Sequence, residues 1–95
     1  MSVDKNKILK KAISIFGEPL QHVVAMEECS ELIKEISKGL RGEGNEISMV
    51  EEIADVLIMI DQLKLMHHIS DKEIEDEIEF KLLRINGRLQ KELED

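Results

Sequence analysis

Two short stretches, Ala25–Leu32 (AMEECSEL) and Glu51–Leu57 (EEIADVL), decide how this chain is read. Both are apolar segments interrupted by acids, although carboxylates ordinarily avoid apolar stripes. Each carries an acid pair three residues apart, Glu28 with Glu31 and Glu52 with Asp55. On a helix that spacing stacks the two carboxylates one turn apart on a single face. The same faces hold apolar residues: Ala25 and Leu32 beside Glu28, and Val56 and Met59 beside Glu52. These acids are therefore not the solvated flank that most acids on a helix occupy.

Working outward, the chain reads as four helices. Asp4 to Phe16 has apolar residues at Ile8, Ala12, Ile15 and Phe16 and a basic face of Lys5, Lys7, Lys10 and Lys11, a short amphipathic helix closed by Gly17. Pro19 suits the first turn of a second helix, which runs to about Lys38 before Gly39. GLRGEGN, residues 39–45, has three glycines and little to bury and reads as a connection. Ser48 with Glu51 then reads as a capping box, which accounts for Glu51 and leaves it outside the site. Apolar residues from Met49 through Ile60 cover so much of the third helix that both its sides should be buried, by more neighbours than one chain supplies. Ser70 with Glu73 caps a fourth helix, with Ile69 and Ile74 as a hydrophobic staple and a stripe of Ile74, Ile78, Leu82, Ile85 and Leu89. Asn86 and Gly87 predict fraying or a kink near its end.

The expected fold is thus all-α, an antiparallel bundle of about four helices in a single domain spanning residues 1–95, its core completed by dimerisation. Composition agrees. There is no Trp or Tyr, only Phe16 and Phe80 are aromatic, and a domain of 95 residues buries a comparatively small share of its surface. A net charge of −8 disfavours a nucleic acid polymer or an anionic membrane as principal partner. A single cysteine, Cys29, excludes an intrachain disulfide. With no apolar run long enough to span a bilayer and no signal-type N-terminus, the cytoplasm is the expected location.

In an antiparallel hairpin about the glycine connection, residues 28 and 55 share a midpoint with 31 and 52, so the four acids converge. Like charges ~4 Å apart repel by on the order of 4 kcal/mol at an effective dielectric of about 20, so something positive must sit among them. Carboxylate ligands without Cys or His favour a hard ion, Mg²⁺ or Mn²⁺ in its place, and Mg²⁺ keeps open positions that phosphate oxygens commonly fill. The matching cationic stripe is Lys81, Arg84 and Arg88 on the fourth helix, for which an exposed flank paired with Glu77 is the ordinary alternative. Lys34, Lys38 and the lysines of the first helix are further candidates. Gln21 is a candidate to meet a base, whereas His22 reads as a surface residue. His67 and His68 close the third helix, where an imidazole suits the negative end of the macrodipole better than it suggests metal binding. Cys29 and the five methionines read as packing.

Glu27-Glu28-Cys-Ser-Glu31, followed after a loop by Glu52-Ile-Ala-Asp55, resembles the EExxE and ExxD motifs of MazG-like nucleotide pyrophosphohydrolases. Gln21, Ala25, the apolar run after Asp55 and the Lys81-x-x-Arg-x-Asn-x-Arg88 stretch extend the likeness over roughly residues 18–90. The resemblance implies an all-α nucleoside triphosphate pyrophosphatase fold assembled as dimers or dimers of dimers. It also implies Mg²⁺-dependent cleavage between the α and β phosphates, giving a nucleoside monophosphate and pyrophosphate. Glu28, Glu31, Glu52 and Asp55 would bind the metal. Glu27 would serve a second metal or orient and deprotonate the attacking water. Phosphoribosyl-ATP pyrophosphohydrolase has a similar EExxE arrangement, but Ile58-Met59 stands here where Tyr-His commonly follows its second motif. A non-catalytic helical oligomerisation or regulatory module is the alternative from another class.

Overall fold

The computed structural model describes residues 3–94. Four helices follow one another: α1 (Lys5–Phe16), α2 (Glu18–Leu40), α3 (Glu46–Met66) and α4 (Asp71–Glu94), and among the described residues there is no strand. Asp4 caps α1 by accepting the Lys7 amide at 3.1 Å. Gly17 separates α1 from α2 in a single residue. Its φ of 89° is a conformation that a side chain would resist, and its amide closes α1 on the Ile13 carbonyl at 2.8 Å.

The start of α3 differs from the capping box expected at Ser48. Asn45 is the cap, its side chain accepting the Ser48 amide at 2.8 Å, and α3 begins at Glu46. Asn caps a helix as well as Ser does, and the Asn45 amide is itself held by the Glu35 carboxylate at 3.3 Å, which fixes the chain three residues before Ser48. The box at α4 is as expected. Glu73 accepts the Ser70 amide at 2.7 Å while the Ser70 hydroxyl accepts the Glu73 amide at 3.1 Å. Hydrogen bonding to Ser70 holds the Glu73 carboxyl below its usual range.

α2 packs on α3, and α1 lies against both. Gln21 meets Gln62, Glu28 approaches Asp55, and Glu35 meets Asn45, so the α3 partner falls in number as the α2 residue rises. The core between these helices is small: Leu9 from α1, Ala25 from α2, and Met59 and Met66 from α3. Leu9 replaces the expected stripe of α1. Ile8, Ile15 and Phe16 are more than half exposed, because α1 turns Leu9 toward the hairpin, with Lys5 reaching Asp61 at 2.9 Å.

α4 departs most from expectation. It packs against none of the other helices and meets α3 through the ion pair of Asp71 with Lys64, no residue of it is buried, and its stripe of Ile78, Leu82, Ile85 and Leu89 is open. The helix does not end at Asn86-Gly87, the expected place of fraying or a kink, but continues through both to Glu94. α3 is likewise uncovered on much of its circumference, with Val50, Ile53, Leu57 and Ile58 exposed. The radius of gyration, 17.1 Å, reflects this. A closed domain of this length would have about 12 Å.

Candidate metal and phosphate site

α2 and α3 bring three of the predicted acids together. One ligand oxygen each from Glu28, Glu52 and Asp55 lies within 4.8 Å of the others. The i, i+3 stacking puts Glu52 and Asp55 on the face of α3 that meets α2, one turn apart, and Glu28 faces them from α2. Glu28 and Glu52 are half-buried and Asp55 is exposed. Glu52 Oε2 is shielded from solvent and has no hydrogen-bond partner among the described residues. An orphaned carboxylate oxygen is a costly arrangement that a counter-ion would relieve.

Electrostatics reports the same crowding. Desolvation is the first cause raising the Glu28 carboxyl above its usual range, followed by repulsion from Asp55, a hydrogen bond its protonated form makes to Asp55, and the charges of Glu52 and Glu31. Glu52 is raised as well, again first by desolvation, then by Asp55, Glu31, Glu35 and Glu51. Both shifts favour the protonated form of these carboxyls.

Glu31 stands outside the triad. It is exposed and pairs with Lys34 one turn on, at 3.6 Å, although its charge still acts on both Glu28 and Glu52. Glu27 is exposed on α2 and is not among the gathered acids. Gln21 is buried, its side-chain oxygen accepting from Gln62 Nε2 at 2.8 Å, while Gln62 Oε1 is buried without a partner among the described residues. Lys81, Arg84 and Arg88 line one shallow cleft on α4 with Ile85. Lys81 pairs with Glu77 at 3.6 Å and Arg84 lies over the Phe80 ring at 6.0 Å. Within one chain this stripe and the acid triad stand on helices that do not pack together, although Lys64 of α3 pairs with Asp71 at the start of α4.

Two residues here escaped the sequence reading. Glu35 is buried, 7 % exposed, and extends the acid face one turn beyond Glu31. Its position seven residues after Glu28 was the available signal. Gln62, 2 % exposed, faces Gln21 about the same midpoint that relates Glu28 to Asp55. In comparisons with protein-family models, with curated proteins and with solved structures, nothing matches the chain. No helix among the described residues is long and apolar enough to cross a membrane.

Proposed function

We propose that the protein is a Mg²⁺-dependent nucleoside triphosphate pyrophosphohydrolase, acting in the cytoplasm and cleaving between the α and β phosphates to release a nucleoside monophosphate and pyrophosphate. The observation that carries this reading is the convergence of Glu28, Glu52 and Asp55 from two helices, with a shielded Glu52 oxygen left unpartnered. The donor set is all carboxylate and fits a hard cation, Mg²⁺ or Mn²⁺. Glu28, Glu52 and Asp55 would hold it, and Glu31 would join by turning from Lys34. When bound, the ion supplies Lewis acidity and neutralises charge on phosphate oxygens. The resemblance to MazG-like enzymes supports the same reading, with Glu27 orienting or deprotonating water and Gln21 near the base. Lys81, Arg84 and Arg88 would hold phosphates.

Because the α4 stripe and the acid triad are apart in one chain, the working enzyme is an antiparallel helical bundle completed by a second copy, as a homodimer or a homotetramer. The open apolar faces of α3 and α4 supply the surface. A non-catalytic oligomerisation module would use the same faces. The test is incubation of purified protein with canonical, deoxy and modified triphosphates plus Mg²⁺, assayed for pyrophosphate. Turnover lost in Asp55→Ala with helicity retained is the expected result. No turnover of any triphosphate, with Mg²⁺ but no nucleotide changing thermal stability, favours the module instead.

A further inference from the structure

Where α2 begins and α3 ends, His22 and His67 meet. Their Nε2 atoms are 2.8 Å apart, with the rings edge to face at 83°. His22 Nδ1 lies 2.7 Å from the Glu18 carbonyl oxygen. That oxygen can only accept, so Nδ1 carries the hydrogen and the Nε2 of neutral His22 presents a lone pair. His67 Nε2–H donates to it. A backbone carbonyl holding the far nitrogen of an imidazole is also the outer support that orients a metal-ligating histidine. Neither ring is buried, so the contact is reached from solvent.

We infer that His22 and His67 form a second cation site, for a borderline transition metal of which Zn²⁺ is the representative, separate from the carboxylate triad. The cation takes the place of the hydrogen shared between the two Nε2 atoms. The His67 hydrogen moves to Nδ1, so the neutral pair loses no proton. Zn–N bonds of about 2.0–2.1 Å at a tetrahedral angle put two ligating nitrogens about 3.3 Å apart, so the rings part by about half an ångström and tilt until their lone pairs converge. Imidazoles select borderline ions where carboxylates select hard ones, which keeps the two sites chemically distinct. Among the described residues no third ligand atom gathers with this pair, so water completes the coordination. The bound cation would tie the second turn of α2 to the end of α3.

The inference is independent of the proposed activity, and its test reads binding alone. The full chain is titrated with Zn²⁺ in excess Mg²⁺, followed by calorimetry and by histidine ¹H–¹⁵N correlation spectra. One equivalent binds, the His22 and His67 ring resonances shift, and His22→Ala or His67→Ala weakens binding on the order of tenfold or more. His68→Ala and Glu52→Gln leave it unchanged, and circular dichroism checks that each variant remains helical, with His67→Gln as the second variant at that position. Absence of saturable binding overturns the site, as does binding that survives both histidine changes or that disappears with Glu52→Gln.

Discussion

Glu28 and Glu52 share one physical predicament, and its sign sets a pH dependence. Their carboxyls are raised in the folded chain, first by desolvation and then by neighbouring acids. A group with a raised folded pKa favours folding below its unfolded value and loses that contribution as pH rises through the folded one. Metal-free protein should therefore lose stability from these two groups between mildly acidic and neutral pH, and Mg²⁺ should restore it. Asp61 works the other way. Its hydrogen bond from Lys5 is the first cause lowering its carboxyl, so its contribution is present above the ordinary aspartate range and disappears as pH falls through the folded value. Thermal melts from about pH 2 to about pH 8, with and without Mg²⁺, separate the two, the Asp61 loss falling at the acid end and the Glu28 and Glu52 loss at the neutral end. Glu52→Gln should raise the melting temperature of the metal-free protein at neutral pH and abolish the gain from Mg²⁺. An unchanged Mg²⁺ effect in that variant would remove Glu52 from the site. The convergence of Glu28, Glu52 and Asp55 was legible because the i, i+3 spacing and the shared midpoint are geometric. The displacement of Glu31 was not, because a nearby Lys34 competes for it and rotamers are settled by local charge.

At the scale of elements, caps and core contacts make separable predictions. Asn45→Ala removes the acceptor for the Ser48 amide and should destabilise the protein by about 1 kcal/mol, whereas Ser48→Ala should cost no more than a few tenths. Urea melts of the two variants distinguish them, and the reverse order would return the cap to Ser48. Met59→Ala, which empties a position only 6 % exposed in the small α2–α3 core, should cost about 2–5 kcal/mol by the same measurement. Helix number and approximate extent were legible from periodicity, Gly17, Pro19 and the glycine-rich connection. The first residue of α3 was not, since two good capping residues lie three positions apart and the buried Glu35 decides between them by holding the Asn45 amide.

The whole molecule poses the question of what covers α4. Its apolar stripe and the outer face of α3 are open in one chain, and the radius of gyration exceeds that of a closed domain of this length. Sedimentation at micromolar concentration should give a dimer or larger assembly. Leu82→Glu, on the open stripe, should shift it to a monomer and lower the melting temperature. A monomeric wild-type chain would remove the proposed completion of the bundle.

The residues alone determined that the chain is helical, roughly where its helices break apart from the start of α3, and which acids share a face, because backbone period and side-chain spacing are local properties. Tertiary structure alone decided that Gln21 pairs with Gln62, that His22 meets His67, that Glu35 anchors the turn into α3, and that the apolar stripe of α4 packs on no other helix among the described residues. Each of those depends on how helices are placed against one another, and that placement follows from summed packing across residues far apart in sequence, which no local pattern encodes.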